Sequence, residues 1–128
     1  MIERLKGDPP SPYELRFGFS RVATAGPFVN VGGTTSVDED GVVLGDTPYE
    51  QTIAILRKIE HELDRVGVSL EDVVQTRIYV TDISRFEEVG RAHGELFSTI
   101  RPLMTMVEVK GLVDPRMLVE IEAVAYHE

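Results

Sequence analysis

Two carboxylates in the middle of a predicted strand constrain this chain more than any other feature. The last third, residues 101–125, alternates apolar and polar side chains over 103–110 and again over 117–126. This alternation predicts two strands. Glu120 and Glu122 lie within the second strand, where a small domain normally places core side chains. Carboxylates at such positions require a partner, a cavity or a neighbouring subunit.

Length and charge narrow the class of protein. The 128 residues predict a single domain, 1–128, in which the proline-rich segment 1–13 is a loosely ordered lead-in. A net charge of −9 without a basic stripe argues against a nucleic-acid partner or an anionic membrane. The chain has no cysteine, no secretory leader pattern and no apolar run long enough to span a membrane. We therefore expect a cytoplasmic protein, and the spacing of histidines and carboxylates predicts no metal site.

Hydrophobic periodicity divides the chain into strands and two helices. Thr47, Pro48 and Glu50 have the pattern of a helix start, and apolar residues recur at helical spacing as far as Gly67. Ser84 to Glu87 predicts a second capping box, for a helix that ends before Pro102. The remaining segments predict strands, at 16–25, 28–35, 73–82, 103–110 and 117–126. The order β-β-α-β-α-β-β predicts an α+β sandwich with both helices on one face of the sheet.

The period of two along each strand sorts the side chains of the predicted sheet into two faces. The helix-facing set is Val74, Thr76, Ile78, Val80, Thr105, Val107, Val109, Val119, Ile121 and Ala123. The opposite set is Asn30, Arg77, Tyr79, Met104, Met106, Glu108, Glu120 and Glu122. The second set fits either a subunit interface containing a cleft or a solvated face with cross-strand Arg–Glu pairs. Its methionines and its tyrosine favour the interface.

Four sequence motifs carry further information: P-x-x-x-x-V-E-V at 102–109, V-E-I-E-A at 119–123, V-x-x-T-R-I-Y-V-x-D at 73–82 and the glycine pair at 32–33. Together they resemble the motifs of the YjgF/RidA family of reactive intermediate deaminases. The glycine pair also predicts a bulge or a close backbone approach. The resemblance implies a chorismate-mutase-like α+β fold. It further implies a homotrimer whose sheets form a central barrel, with small-molecule clefts between subunits.

The resemblance also implies a reaction. The best-known members hydrolyse enamines or imines, release ammonia and a 2-keto acid, and use no cofactor. An arginine on the first C-terminal strand binds the substrate carboxylate through a bidentate pair, which other side chains cannot imitate. A glutamate on the last strand orients water or transfers protons.

Few of the family's site residues occur in this chain. Glu120 matches the glutamate, and Gly33 matches the glycine whose backbone faces the ligand. Met104 takes the place of the arginine, and the other replacements are Phe19 for tyrosine, Gly32 for serine, Gly90 for asparagine and Met106 for cysteine. Loss of a buried bidentate arginine contact costs a charged-ligand site about 2–5 kcal/mol. Standard 2-imino acids are therefore expected to bind poorly.

Glu120 is the first candidate for catalysis. Enclosure by Met104, Met106 and Phe19 would raise the pKa of its carboxyl group toward the range that suits acid–base chemistry. The alternative is a structural glutamate bound to Arg77 or to backbone amides. His93, on the apolar face of the second helix, is either a core or interface residue or an acid–base partner across a subunit boundary.

The remaining candidates concern ligand binding. The arginines that could replace the missing clamp are Arg21, Arg77, Arg91 and Arg101, each of which could instead be solvated. Tyr79 and Thr105 complete the candidate site, although an inward-facing Thr105 would be structural. Two functions remain open: a cofactor-free deaminase-type hydrolase that uses Glu120, and a non-catalytic trimer that binds a metabolite or acts as a regulatory or chaperone-like protein.

Overall fold

A computed structural model describes all 128 residues and shows a mixed sheet covered on one face by two long helices. The sheet has six strands in the order β1-β2-β3-β6-β4-β5. The strands are β1 Ile2–Leu5, β2 Val22–Ala25, β3 Phe28–Thr34, β4 Val73–Val80, β5 Leu103–Glu108 and β6 Val119–Tyr126, and the helices are α1 Pro12–Phe17, α2 Pro48–Asp64 and α3 Phe86–Phe97. The predicted α+β fold class is confirmed. None of the helices combines the length and the apolar character needed to cross a membrane.

Helix α2 begins and ends where its sequence signals predicted. The Thr47 hydroxyl accepts a hydrogen bond from the Glu50 amide at 3.1 Å, and Gly67 takes a positive φ of 76° just beyond the last turn. Its buried stripe packs against α3, β3 and β6. The fully buried apolar side chains of this stripe are Ile55, Leu56, Ile59 and Leu63.

The start of α3 differs from the prediction. Asp82 caps the turn that precedes α3, and its Oδ1 accepts hydrogen bonds from the Ser84 amide at 3.0 Å and the Ser84 hydroxyl at 2.6 Å. These bonds close a 3₁₀ turn over Ile83–Arg85, so that α3 begins only at Phe86. The predicted box was wrong because an aspartate two residues upstream competed for the same amide.

The N-terminal segment is ordered rather than a loose lead-in. Strand β1 pairs antiparallel with β2, and α1 occupies the first part of the segment predicted as a strand over 16–25. The carboxylate of Glu14 explains this order, because it accepts hydrogen bonds from the amides of Gly7 at 2.7 Å and Ser11 at 2.5 Å while it is buried. This reciprocal capping box holds the segment before β2 in place.

The two C-terminal strands are not neighbours. Strand β5 pairs in parallel with β4 at the edge of the sheet. Strand β6 lies between β3 and β4 and runs antiparallel to both. The alternation predicted for β6 is confirmed, since Val119, Ile121 and Ala123 are buried while Glu120 and Glu122 lie on the other face.

The faces of β5 are the reverse of the prediction. Met104 lies beside Thr76 and Met106 beside Ile78, so both methionines are on the helix side. Thr105, with Val107, lies on the open face instead. Alternation gives the period of a strand but not its phase, and β5 has apolar side chains on both faces. Two further corrections follow: Glu108 lies on the helix side, and Val74 is exposed next to an irregularity in the pairing of β4 with β6.

The open face of the sheet is apolar at one end and charged near its centre. Ile2, Ala25, Phe28 and Tyr126 lie opposite one another in a row across four strands. The rings of Phe28 and Tyr126 contact edge to face, with centroids 5.2 Å apart. Nothing in the chain covers this face, and exposed apolar side chains in such a row are typical of a protein–protein interface.

Gln51 ties the loops at one end of the sheet to α2. Its buried amide nitrogen donates to the carbonyls of Gly45 at 3.1 Å and Arg116 at 2.9 Å, and its amide oxygen accepts from the Leu118 amide at 2.8 Å. One side chain therefore satisfies three backbone groups and fixes the entry to β6.

We predict that Gln51→Leu lowers the free energy of unfolding by about 2–4 kcal/mol, because it leaves buried backbone groups without partners. Gln75→Leu is the matched control, since Gln75 makes no side-chain hydrogen bond; its effect should stay below about 1 kcal/mol. Urea denaturation at one protein concentration measures both. Equal effects of the two changes would contradict the role assigned to Gln51.

Candidate functional site

The carboxylate of Glu120 lies against a bulge in β3. Val31 pairs with Ala123 and Thr34 pairs with Ile121, so β3 has one more residue than β6 between these points. A β-carbon on Gly33 would overlap Oε2 of Glu120 and lie 3.1 Å from its Cδ. A side chain at this position would displace the Glu120 carboxylate from where it lies. The predicted bulge and close backbone approach are confirmed.

Glu120 is half-buried and has no hydrogen-bond or ion-pair partner in the chain. Burial raises the pKa of its carboxyl group, and the neighbouring carboxylate of Glu122 raises it further. The positive charge of Arg21 opposes both effects. The interpretation of Glu120 as a structural residue bound to Arg77 or to backbone amides does not hold, because no such bond is present.

Glu122 occupies the position that a purely structural glutamate would. The hydroxyl of Tyr79 donates a hydrogen bond to Oε1 of Glu122, which raises the pKa of the tyrosine. Arg77 lies directly opposite Glu122 on β4 and is exposed. Of the two strand carboxylates, one is therefore occupied by a tyrosine and the other, Glu120, is free.

The segment before β2 runs beside the bulge. The Gly32 amide donates to the carbonyl of Arg21 at 2.8 Å, and a β-carbon on Gly32 would lie 3.6 Å from the carbonyl of Ser20. Phe19, at the start of this segment, is exposed. The guanidinium of Arg21 is buried and points to Glu14, at 3.7 Å. Phe19, Gly32 and Gly33 thus belong to the same part of the molecule as Glu120.

Four of the other predicted site residues form a separate group on the helix side. His93 is buried, its Nε2 lies 2.9 Å from the Thr76 hydroxyl, and its ring is 4.6 Å from that of Phe97. Burial lowers the pKa of this histidine, which favours the neutral form. Met104 lies beside Thr76 on β5. The full group is Gly90 and His93 on α3 with Met104 and Met106 on β5.

Within one chain the two groups do not meet. Glu120 lies on the open face, opposite Tyr79, whereas Met104, Met106 and His93 lie on the helix face. The predicted enclosure of Glu120 by the methionines is therefore wrong for a single chain, and its pKa is raised by burial and by Glu122 instead. An acid–base pair of Glu120 with His93 requires two copies of the chain.

The remaining arginine candidates lie elsewhere. Arg91 stacks over the ring of Tyr49, 4.3 Å from its centroid, on the outer side of the helices. Arg101 is exposed in the turn before β5 and has a positive φ of 58°. Neither is placed beside Glu120 in the chain. No three histidine, aspartate or glutamate side chains come close enough together to hold a metal ion.

A cavity that the sequence patterns did not reveal lies on α2. It has a volume of about 430 Å³ and is bounded by α2, by residues 8–13 and by the loop 37–44. Lys58 and Glu62 project from α2 into its wall. The available sequence signal for the cavity was that these two charged residues lie four apart and next to the apolar stripe of α2. That signal is weak, because charged residues at such positions are usually solvated.

Comparison with known proteins finds relatives that match most of the chain. The family model described as Endoribonuclease L-PSP matches residues 13–127. A Mycobacterium tuberculosis member of the YjgF/YER057c/UK114 family, solved by crystallography, is 46% identical with a TM-score of 0.88, over 98% of this chain and 99% of that one. An uncharacterized Streptomyces coelicolor protein is 39% identical over 91% of this chain and 87% of its own length.

A relative named for its activity is also similar. The 3-aminoacrylate deaminase RutC of Acinetobacter baylyi is 37% identical over 77% of this chain and 78% of its own length. The family match spans nearly the whole chain, in agreement with the C-terminal motifs and the fold. The chain belongs to the Endoribonuclease L-PSP family, also known as the YjgF/RidA family.

Proposed function

We propose that this chain forms a cytoplasmic homotrimer with small-molecule clefts between subunits, and that Glu120 is the acid–base residue of a cofactor-free enamine or imine deaminase. Its substrates differ from the standard 2-imino acids. One observation carries the proposal: the carboxylate of Glu120 is half-buried against Gly33, free of any partner, and raised in pKa. A carboxylate in this state is available for proton transfer.

The chemistry requires a group that both accepts and donates a proton. Water adds to the carbon of the C=N bond, and Glu120 as the carboxylate accepts a proton from the water and passes it to the imine nitrogen, which gives a carbinolamine. Glu120 then accepts the hydroxyl proton and returns it to the nitrogen, so that the C=O bond forms as the C–N bond breaks and ammonia leaves. A carboxyl group whose pKa is raised toward neutrality is suited to both transfers.

The distribution of site residues supports the trimer. Gly33 and Glu120 lie on the open face, whereas Gly90, Met104 and Met106 lie at the other face, next to the edge strand β5. The two groups complete one cleft only if β5 of one copy approaches the bulge of another. The exposed apolar row of the open face supplies a surface for such contact.

The replacement of arginine by Met104 determines the substrate class. A methionine cannot pair with a carboxylate, and Glu122 adds negative charge next to Glu120. The RutC relative supports the reaction class through its name, 3-aminoacrylate deaminase. Loss of the arginine contact weakens carboxylate binding by about 2–5 kcal/mol. Uncharged imines or enamines are the better fit.

A non-catalytic metabolite-binding or regulatory trimer is the second candidate. It is favoured by the number of family site residues that are replaced, among them Met104, Met106 and Phe19. In that case Glu120 would bind a polar group of the ligand without transferring its proton, and no imine would be hydrolysed.

We predict a mass of three times the 14.3 kDa chain in light scattering. Val107→Asp should shift the protein toward monomers, because Val107 lies on the open face and is 43% exposed in one chain. Val113→Asp is the matched control: Val113 is 74% exposed in the loop before β6 and should leave the mass unchanged. A monomeric wild type would contradict the trimer, and equal masses for the two variants would contradict the open face around Val107 as its interface.

We predict that Glu120→Gln slows imine hydrolysis by about 100-fold or more, the usual contribution of a positioned acid–base group. An amine oxidase generates an uncharged imine, or an amino-acid oxidase 2-iminopropanoate, and trapping by semicarbazide reports what escapes hydrolysis. Glu122→Gln is the control and should retain most activity. A wild type that accelerates neither imine would support the binding-only candidate, and a Glu120→Gln variant as active as an accelerating wild type would contradict the acid–base role of Glu120.

We predict that Met104→Arg raises the rate on 2-iminopropanoate by about tenfold or more, because it restores a cation for the substrate carboxylate. The rate on the uncharged imine should not rise. The same trapping assay measures both substrates. An equal effect on the two imines would show that position 104 does not contact a substrate carboxylate.

We predict that kcat/KM increases with pH through a pKa above the ordinary glutamate value of 4.5, because the base must be ionised and burial raises its pKa. Stability should change in the opposite sense. A carboxyl group whose pKa is raised on folding stabilises the protein below its unfolded pKa, and this contribution is lost as pH rises through the folded value. Glu120→Gln should therefore gain stability relative to wild type between acidic and neutral pH. No such relative gain in urea titrations would contradict the raised pKa.

A further inference from the structure

The cavity on α2 is a built polar site that is separate from Glu120. Glu62, in its wall, is buried and accepts hydrogen bonds from the Asp8 amide at 2.9 Å and the Arg65 guanidinium at 2.6 Å. Arg21, also in the wall, is buried and lies next to Glu14. These contacts fix the walls of a space of about 430 Å³, which is within the size range of small-molecule sites.

Lys58 is the nucleophilic group in this wall. Its Nζ donates to the carbonyls of Thr35 at 2.6 Å and Val37 at 2.8 Å. No carboxylate lies within ion-pair distance of it. Two of the three positions on the nitrogen are therefore taken by neutral acceptors, and the third has no protein partner. A neutral amine satisfies the same two carbonyls and leaves its lone pair in the third position.

The charges around Lys58 only partly compensate its burial. Desolvation lowers the pKa of the amine to about 8, and Arg21 lowers it as well. The carboxylates of Glu62, Asp38 and Glu14 act in the opposite direction. The other charged or titratable groups of the cavity wall are Asp8, Tyr13, Glu39, Arg57, His61 and Asp114. At pH 7.5 roughly a quarter of such an amine is neutral, whereas well under 1% of an ordinary lysine is.

We propose that Lys58 is a carbonyl-reactive amine and that the cavity binds a small aldehyde or ketone without a carboxylate, held as a reversible imine on Nζ. The lone pair of Nζ adds to the carbonyl carbon, and the electrons of the C=O π bond move to oxygen. A proton passes from nitrogen to that oxygen and gives a carbinolamine. Loss of water then forms the C=N bond, and hydrolysis reverses each step.

The surroundings of the amine suit this chemistry. Once protonated, the imine nitrogen keeps one N–H, which can remain bonded to the carbonyl of Thr35 or Val37. The wall has more carboxylates than cations, with Arg21, Arg57 and Lys58 as its only lysine or arginine side chains. A ligand with its own carboxylate would be repelled, so an uncharged or cationic carbonyl compound fits best. The inference does not depend on a catalytic role for Glu120, which is not part of this wall.

Reductive trapping tests the proposal on the full chain. The protein is incubated with isobutyraldehyde and cyanoborohydride at pH 7.5, and peptide mass spectrometry follows labelling of each lysine. The other two lysines, Lys6 and Lys110, are exposed and serve as internal controls. We expect Lys58 to label about tenfold or more faster, with half-maximal labelling near its pKa of about 8. Labelling no faster than at Lys6 and Lys110 would overturn the proposal.

A second arm tests the cavity. Glyoxylate replaces isobutyraldehyde, and the ratio of Lys58 labelling to Lys6 labelling should fall by about threefold or more because of the acidic wall. An unchanged ratio would overturn the proposed selectivity. Lys58→Arg, checked for folding by circular dichroism, should lose the fast-labelled peptide. Glu120→Gln should leave Lys58 labelling unchanged, so the result is independent of the deaminase proposal.

Discussion

The contact of Glu120 with the glycine bulge of β3 is the constraint on which the candidate site depends. Any side chain at Gly33 would occupy the space of the carboxylate. The contact also keeps the carboxylate half-buried and without a partner, while Tyr79 binds the neighbouring Glu122 instead. The sheet thus maintains one unpaired, partly desolvated carboxylate, an arrangement that costs stability and is typical of functional sites.

Local sequence signals correctly predicted the parts of the fold that are determined by neighbouring residues alone. Thr47 and Gly67 delimit α2 because capping and positive φ are local properties. The two faces of β6 were predicted correctly because apolar residues alternate there with the two glutamates. The phase of β5 was not, since Met104 and Val107 make both of its faces apolar and only pairing with β4 decides between them.

The features that the sequence patterns did not predict depend on partners far away in the chain. The order of the N-terminal segment comes from the carboxylate of Glu14, which binds amides at Gly7 and Ser11. Burial and the charge of Arg21 lower the pKa of Lys58, and its amine donates hydrogen bonds to carbonyls of a loop more than twenty residues upstream. Glu120 and Gly33, which match two site positions of the family motifs, lie side by side in the chain, but no pattern within one chain brings Met104 to them.

The proposed acid–base role depends on the raised pKa of the Glu120 carboxyl group. A titration followed by carbon-13 NMR of the glutamate side-chain carboxyl groups, with Glu120→Gln to assign the resonance, measures that pKa in the intact protein. We expect a midpoint for Glu120 above 4.5. A midpoint at or below 4.5 would show that the carboxylate is stabilised by partners, and would contradict both the unpaired state and the acid–base role.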